Sequence, residues 1–369
     1  MKEACIQFLA LALLLASCAS GIKPTVSQQN WGMVDGDSVY LYTLTNSKGL
    51  SVKITNYGGI ITEFHAPDRN GKTENIVLGL NSLNAYLKGH PALGCIVGRY
   101  INRIGNATFT LDGVEYPLAK NSNGRHNIHG GRKNFYTKVW TASASSNAGE
   151  ATLSLNYLSP DMEEGFPGNL DVKVDYTLTN QNELRIEYAA TTDKPTVVNL
   201  SNHSYFNLSG AKESVLGHEV RIYADEYIVV DEDLIPTGEM AKVNVTPLDL
   251  RAWTKIGDRT ELLPNGFDNS FCVEGKRGKA PVLIAELRDP VSGRHLKTYT
   301  TQPGVCFYTA KGLNIKQNTV HGTPYQSYWG ACLETQHHPD SPNHAHFPST
   351  VLRPGETYHE LTIYQIGCD

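Results

Sequence analysis

Residues 107–116 read Ala107-Thr108-Phe109-Thr110-Leu111-Asp112-Gly113-Val114-Glu115-Tyr116. Apolar and polar side chains alternate on both sides of the Asp-Gly dipeptide, with the two-residue period of a strand that has one buried face. Asp-Gly favours a type I′ turn, whose twist matches that of the two strands it joins. The stretch therefore predicts a β-hairpin.

The same alternation recurs along the chain and defines the fold class. It is found at 172–178 and 184–188, on either side of a polar turn, and in shorter form at 52–54, 220–222 and 305–309. These patterns predict strands with one face toward a core.

Helical periodicity is scarce, and only residues 83–88 predict a short helix. After Cys18 there is no low-complexity linker, no change of composition and no clean repeat of fixed period. We therefore expect one all-β domain over residues 30–369, built as a large antiparallel β-sandwich.

The first 29 residues have the pattern of an export segment. Lys2 precedes an apolar run, residues 6–15, that is too short to span a bilayer comfortably. Leu15-Ala16-Ser17-Cys18 follows and resembles the lipobox of a bacterial lipoprotein, although a secretory signal peptide cleaved after a small residue has a similar pattern. We expect a signal peptide at 1–17, lipidation of Cys18 and a flexible tether at 18–29. The protein would then be anchored in the bacterial cell envelope, on the periplasmic or outer-membrane face, with the lipid as its only membrane contact.

Charge and cysteine content exclude several classes of function. The 369 residues carry a formal net charge of -5 and no block of like charges, whereas nucleic-acid binding requires a concentrated basic face. Five cysteines follow Cys18, and no two of them form a CxxC pair. These five are Cys95, Cys272, Cys306, Cys332 and Cys368. The pattern indicates neither a disulfide framework nor a structural zinc site, and we expect free buried thiols.

The densest polar cluster is the stretch 199–208, which contains His203 and Tyr205 among amides and hydroxyls. Sugar sites need this mixture, because amides and acids pair with hydroxyl groups and aromatic rings cover the apolar ring face. A surface turn whose polar groups are satisfied locally has the same composition. Composition alone does not separate the two interpretations.

Other histidines and arginines suggest metals or anions at first sight. His126 and His129 lie three residues apart, but no third ligand follows at a suitable spacing, so no metal is expected there. His337, His338, His344 and His346 alternate with prolines, which indicates a rigid loop with exposed imidazoles.

Arg99 and Arg103 flank Asn102 and could donate to sugar oxygens or to a carboxylate. We interpret Arg99 as an ordinary surface arginine.

Glu334 stands at the end of an apolar stretch near the C-terminus. A carboxylate that enters a cleft from the end of a strand can have a raised pKa and act as a base. No nucleophile elbow, phosphate-binding loop or dinucleotide fingerprint occurs in the sequence.

Taken together and in order, these segments resemble the aldose 1-epimerase (galactose mutarotase) family from Trp31 to the C-terminus. The motifs that carry the resemblance are Gly98-Arg99, Asn102-Arg103-Ile104, Ile128-His129-Gly130-Gly131, Glu164-Gly165-Phe166-Pro167-Gly168, Asn202-His203-Ser204-Tyr205-Phe206-Asn207-Leu208, Gly266-Phe267-Asp268, Thr301-Gln302-Pro303-Gly304-Val305 and Leu333-Glu334-Thr335-Gln336. Each motif alone is weak, but their common order is specific.

The resemblance implies a galactose mutarotase-like supersandwich that interconverts the anomers of a free hexose, glucose or galactose, without metal or nucleotide. It implies that Glu334 removes the proton of the C1 hydroxyl and that His203 protonates the ring oxygen O5. The implied sugar-binding residues are Asn102, Arg103, His129, Tyr205 and Asp268. A small-molecule aldose is then the expected partner, and a monomer the expected state.

Two other functions on the same scaffold remain open at this point. A non-catalytic carbohydrate-binding lipoprotein would not require both Glu334 and His203, whereas a hexose-6-phosphate 1-epimerase would require extra cations for the phosphate. The family commonly has a sugar-contacting glutamine where Cys306 stands here. This departure concerns the selectivity for hydroxyl groups and not the proton transfers.

Overall fold

The computed structural model describes residues 23–263, 265–273 and 280–369. The predicted signal peptide and the predicted lipidation of Cys18 lie outside the described residues. Within the described ranges, no helix is both long and apolar enough to cross a membrane.

The largest sheet has nine antiparallel strands. Strands are numbered in chain order, and the spatial order of this sheet is β11 (Thr141–Ser146), β12 (Glu150–Ser159), β13 (Leu170–Thr179), β14 (Glu183–Thr192), β27 (Tyr358–Cys368), β23 (Arg294–Thr300), β22 (Val282–Arg288), β17 (Glu219–Ile222) and β20 (Thr254–Lys255). β13 and β14 are the pair predicted from the alternation at 172–178 and 184–188, with Val174 opposite Tyr188. That prediction is confirmed.

Two further sheets have five antiparallel strands each. The first contains β1 (Thr25–Val34), β2 (Asp37–Thr45), β3 (Ser51–Thr55), β4 (Ile61–Pro67) and β5 (Thr73–Asn75) in that order. The second has the order β19 (Pro236–Lys242), β18 (Glu226–Val230), β21 (Asp268–Cys272), β24 (Gly304–Tyr308) and β25 (Cys332–Gln336). Because β25 is the last strand of its sheet, its residues can meet the loops beyond that edge.

Short strand pairs fix those loops. The pairs are β6 (Ile96–Val97) with β16 (Ser201–Asn202), β7 (Arg103–Ile104) with β10 (Asn127–Ile128), β8 (Thr108–Leu111) with β9 (Val114–Pro117), and β15 (Thr196–Val197) with β26 (Val351–Leu352). The described α-helices are α1 (Leu83–Leu87), which confirms the predicted short helix, and α2 (Gly257–Thr260), which the sequence pattern did not predict.

The main hydrophobic core lies between the sheets and confirms the predicted sandwich. It joins fully buried side chains of the nine-stranded sheet, such as Val174 and Ile186, to Leu44 and Ile54 of the first five-stranded sheet and Phe307 of the second. Each such side chain contributes roughly 1.5–3 kcal/mol through removal of apolar surface from water. The core therefore holds the second five-stranded sheet, with β25 at its edge, against the largest one.

The hairpin at 107–116 forms as the sequence predicted. β8 pairs with β9, with Phe109 opposite Tyr116. Asp112 and Gly113 have φ values of 51° and 81°. A type I′ turn requires positive φ at both of these positions, which is why Asp-Gly suits it.

The folded domain begins earlier than predicted. Residues 25–29, expected in the flexible tether, are the first half of β1, and Thr25 is already paired with Thr45 of β2. The pattern was missed because β1 is an edge strand with mostly exposed polar side chains. Backbone hydrogen bonds to β2, rather than burial, define it.

Two predictions of exposure were also wrong. His337 and His338 are buried, because the loop after β25 packs into the domain, where the His337 backbone N–H donates to Asn199 Oδ1 at 3.0 Å. Among the five cysteines, four are buried as expected, but Cys368, at the end of β27, is exposed.

Arg99 is not a surface residue. Its guanidinium is buried and donates to Ser159 Oγ at 2.8 Å and to the backbone carbonyls of Ser159, Pro160, Phe166 and Pro167. The planar fork of donors thus ties the loop between β12 and β13 to the strand pair β6–β16. Burial lowers the pKa of Arg99 to about 10, which still leaves it charged at neutral pH.

We predict that Arg99→Met destabilises the protein by roughly 3–5 kcal/mol, because it leaves several buried acceptors without a donor. The measurement is the free energy of unfolding from urea denaturation. Arg353→Met is the matched control, since Arg353 pairs with Asp112 at an exposed position and should change stability little. An Arg99→Met protein as stable as this control would contradict the prediction.

Candidate active site

A cavity of about 260 Å³ opens beside the edge strand β25. This volume suits a ligand of monosaccharide size better than a drug-sized one. All seven residues predicted for the site line it, namely Asn102, Arg103, His129, His203, Tyr205, Asp268 and Glu334. Residues that are as much as 232 positions apart in the chain, Asn102 and Glu334, thus share one cavity.

Glu334 reaches the cavity from the centre of β25. In the ladder it stands opposite Cys306 of β24, and its side chain is buried. Burial raises the pKa of Glu334 well above the usual carboxyl value, and the nearby charge of Asp268 raises it further, while Arg103 lowers it. The buried position therefore favours the protonated carboxyl.

His203 follows β16 and is held through its backbone. Its N–H donates to the Cys95 carbonyl at 3.0 Å, and its own carbonyl accepts from the Gly94 N–H at 2.9 Å. The imidazole lies parallel to the ring of Tyr205, with 4.9 Å between the ring centroids and 19° between the planes. The Tyr205 hydroxyl donates to the Pro91 carbonyl at 2.7 Å, so Tyr205 orients the imidazole more than it offers a free hydroxyl to a ligand.

The two groups lie side by side. His203 Nε2 is 3.5 Å from Glu334 Oε1, and both side chains are buried. His203 Nδ1 is buried and has no hydrogen-bond partner among the described residues. Since the imidazolium needs an acceptor at each nitrogen, burial favours the neutral ring and lowers the pKa of His203 to about 4. The fold thus brings two groups that are 131 positions apart in the chain together as one buried pair.

His129 is a neutral hydrogen-bond donor. Its Nδ1 accepts from the backbone N–H of Asn102 at 3.2 Å, which assigns the remaining proton of the neutral ring to Nε2. Burial holds the pKa of His129 well below the usual imidazole value, and His203 and Arg103 lower it further. Its ring meets the ring of His203 edge to face, with 5.4 Å between the centroids.

Arg103 and Asp268 form a second polar pair in the cavity. Arg103 Nη2 is 3.3 Å from Asp268 Oδ2, and Arg103 Nη1 donates to Asn102 Oδ1 at 3.4 Å. Donors and acceptors are thus placed next to each other, as binding of paired hydroxyl groups requires. The Cys306 thiol donates to Asp268 Oδ1 at 3.7 Å and does not line the cavity.

Six further lining residues were not predicted as site residues, and three of them, His90, Tyr136 and Tyr308, have polar aromatic side chains. His90 Nδ1 accepts from the Leu93 N–H at 3.0 Å, and burial lowers its pKa to about 4. Tyr308 presents its ring edge to His203, with 6.2 Å between the centroids. In the sequence, Tyr308 stood out only as part of the alternation at 305–309, which predicted a strand. No signal in the sequence indicated that its side chain lines the cavity.

Among the described residues, one set of potential metal ligands lies at the same place. Ligand atoms of His203, Cys332 and Glu334 lie within 4.8 Å of one another. No sequence pattern indicated this set, because its members are far apart in the chain or have no characteristic spacing. The histidines that suggested a metal in the sequence, such as His126 and His129, do not belong to it.

Comparison with known proteins identifies relatives over most of the chain. The family model described as aldose 1-epimerase matches residues 40–365. The galactose mutarotase of Bos taurus is 45% identical over 323 residues, which cover 87% of this chain and 92% of the relative. The aldose 1-epimerase of Escherichia coli (strain K12) is 36% identical, with 90% of this chain and 96% of the relative covered.

Solved structures give the same result for the fold. The galactose 1-epimerase from Lactobacillus acidophilus superposes with a TM-score of 0.82 at 28% identity, covering 94% of this chain and 99% of that chain. An aldose epimerase homologue from C. elegans superposes with a TM-score of 0.79 at 29% identity, covering 87% and 96%.

The buried imidazoles predict how stability depends on pH. Burial lowers the pKa of His90, His203 and His218 from 6.5 to about 4, and it also holds the pKa of His129 and His321 below the usual imidazole value. Between 6.5 and about 4 the unfolded chain binds more protons, so the free energy of unfolding should fall as the pH decreases over this range. The raised pKa values of Glu334 and Asp340 act in the opposite direction, but they are two groups against five imidazoles.

The test compares urea denaturation of the wild type and of His203→Asn over this pH range. The variant lacks one of these imidazoles, so its free energy of unfolding should depend less steeply on pH, whatever its absolute stability. An equal pH dependence in both proteins would show that His203 is not held neutral by burial.

Proposed function

The chain belongs to the aldose 1-epimerase family and is an aldose 1-epimerase, and we propose that Glu334 and His203 are the acid–base pair with which it interconverts the anomers of free glucose and galactose. The remaining questions are how the cavity performs this reaction, which aldoses it accepts and where in the cell it acts.

The observation that carries the proposal is the 3.5 Å distance between His203 Nε2 and Glu334 Oε1. Ring opening of a pyranose removes a proton from the C1 hydroxyl and adds one to O5, and these two oxygens are bonded to the same carbon. Two proton-transferring groups that lie side by side can reach both oxygens at once.

The pair needs only one proton for the whole cycle. Ring opening uses the Glu334 carboxylate and the His203 imidazolium, and it leaves a Glu334 carboxyl and a neutral imidazole beside the open-chain aldehyde. After rotation about C1–C2, Glu334 returns a proton to O1 and His203 takes the proton of O5, so the ring closes as the other anomer. The net charge of the pair is zero in both states, which suits a buried site.

The opposed pKa shifts support this cycle. Burial raises the pKa of Glu334 and lowers that of His203 to about 4, so both groups favour their uncharged forms in the empty cavity. The uncharged pair is the form that acts on the open chain. Contacts with the cyclic sugar must stabilise the charged form, since both forms have to be accessible in every turnover.

The other lining residues bind and orient the sugar in this proposal. His129 donates from Nε2 near O5, while Asn102, Arg103 and Asp268 pair with hydroxyl groups farther along the ring. The Asn102 N–H that donates to His129 Nδ1 keeps His129 neutral, and Asp268 pairs with Arg103. Neither group therefore competes with Glu334 or His203 for the transferred protons.

A free aldose fits this cavity better than a sugar phosphate. Arg103 is the only lysine or arginine among the described lining residues, and it is paired with Asp268. A phosphate group would require further cations. Galactose is the first substrate to test, because the relative from Bos taurus is a galactose mutarotase.

We predict that Glu334→Gln and His203→Asn each lower the rate of anomer equilibration by about 10²–10⁴-fold, because each removes one proton-transferring group. Polarimetry of freshly dissolved α-galactose and α-glucose measures the rate after subtraction of the spontaneous reaction. The protein used lacks residues 1–18.

His359→Asn and Glu187→Gln are matched controls, since His359 and Glu187 form an exposed pair of the same composition. Both controls should equilibrate anomers at the wild-type rate. Unchanged activity of Glu334→Gln or His203→Asn would refute the assigned roles. Sugar binding by the wild type without any rate enhancement would instead favour the carbohydrate-binding alternative.

We also propose that the enzyme is lipid-anchored through Cys18 in the bacterial cell envelope. The support is the apolar run at 6–15 followed by Leu15-Ala16-Ser17-Cys18. The folded domain starts at Thr25, so only a few residues would separate it from the lipid. The enzyme would then act on sugars outside the cytoplasm, close to a membrane surface.

The test expresses the full chain and its Cys18→Ser variant in a bacterium and separates them by detergent phase partitioning. We expect the wild type in the detergent phase and the variant in the aqueous phase, with intact mass showing the acyl groups on Cys18. A wild-type chain that is cleaved at another small residue and carries no lipid would establish the ordinary secretory alternative.

A further inference from the structure

A buried thiol lies directly beside the proposed acid–base pair. Cys332 is fully buried, and its sulfur and the nearest ligand atoms of His203 and Glu334 all lie within 4.8 Å of one another. The proposed reaction does not use this thiol, and Cys332 does not line the cavity. The cluster of these three residues therefore needs its own interpretation.

Local geometry explains why the three residues meet. Cys332 and Glu334 are two positions apart in β25, so their side chains leave the strand on the same face. His203 comes from the segment after β16 and closes the group, with Nε2 3.5 Å from Glu334 Oε1. The backbone of β25 is fixed by its pairing with β24, with Cys332 opposite Tyr308 and Glu334 opposite Cys306.

This donor set is that of a thiophilic divalent cation. Zinc binds imidazole nitrogen, thiolate sulfur and carboxylate oxygen, and sites with three protein ligands keep the fourth tetrahedral position for water or a ligand. Donors about 2.0–2.3 Å from a tetrahedral ion are separated by about 3.3–3.8 Å. The distance between His203 Nε2 and Glu334 Oε1 already lies in that range. The Cys332 sulfur lies no more than 4.8 Å from either atom, so it needs to approach them by at most about 1.5 Å.

We propose that His203, Cys332 and Glu334 form an inhibitory binding site for Zn²⁺ or a similar thiophilic cation at the floor of the sugar cavity. The ion enters through the cavity that His203 and Glu334 line, binds both of them and displaces the thiol proton of Cys332 to solvent. The fourth position faces the cavity.

A cation bound at this site removes both proton-transferring groups, His203 and Glu334, from the reaction. The ion takes the lone pair of the imidazole and the charge of the carboxylate, so neither group can exchange a proton with the sugar. The proposed reaction itself requires no metal, and this site acts only as an inhibitor. The inhibitory effect rests on the proposed roles of His203 and Glu334, whereas metal binding by the cluster does not.

The experiment uses the protein without residues 1–18, treated with a chelator and then freed of it. Zn²⁺ should inhibit anomer equilibration by the wild type, and saturating galactose should protect against inhibition. Cys332→Ser should weaken inhibition at least about tenfold relative to its own zinc-free rate, because the site loses its thiolate. Cys306→Ser is the matched control, since this nearby thiol contacts Asp268 and is outside the cluster, and it should keep wild-type zinc sensitivity.

A second readout is independent of catalysis. Cd²⁺ should produce the ultraviolet charge-transfer absorption of a cadmium thiolate in a Cys368→Ser background, which removes the exposed thiol. The band should disappear when Cys332→Ser or Cys332→Ala is added, and it should weaken with His203→Asn. Equal zinc inhibition of wild type and Cys332→Ser, or absence of the cadmium band in the wild type, would overturn the proposal. If the protein proved inactive with every aldose, the cadmium band would still test the site.

Discussion

The contact between the His203 imidazole and the Glu334 carboxyl is the interaction on which the function of this protein depends. In water at neutral pH the carboxyl group would be ionised and the imidazole mostly neutral, and the two would gain little from each other, but burial makes their charged forms costly. The result is a pair that carries one proton and has two forms of equal net charge. Such a pair can move protons in both directions, which a reversible isomerisation requires.

The pair exists only because the sandwich brings a strand edge and a loop together. Glu334 is fixed by the ladder between β24 and β25, and the core behind that ladder is continuous with the nine-stranded sheet. His203 is fixed by backbone hydrogen bonds to the segment 94–95 and by its stacking on Tyr205. Little freedom remains in either group, so their separation is a property of the fold rather than of flexible side chains.

Two residues of the ligand-binding part of the cavity have left-handed backbone conformations. Asn102 and His129 have φ values of 65° and 54°, in the left-handed region that non-glycine residues seldom adopt. They stabilise each other, since the His129 N–H donates to the Asn102 carbonyl and the Asn102 N–H donates to His129 Nδ1. This reciprocal arrangement orients the His129 donor toward the cavity.

Sequence alone determined the class of fold and the identity of most site residues. The signals that defined the fold class are local, so no tertiary information was needed to recognise them. They are the alternation at 172–178 and 184–188, whose period is set by the strand itself, and the turn dipeptide Asp112-Gly113 in the hairpin. The order of the family motifs then indicated His203 and Glu334. Only the tertiary structure decided the features that depend on burial and on distant partners. Arg99 and His337 are enclosed by segments far along the chain, and β1 is a strand only because β2 pairs with it. Cys332 meets His203 across the edge of the sheet. A single sequence records periodicity and residue type, but the dielectric environment and the partner of each polar group arise only when the layers pack.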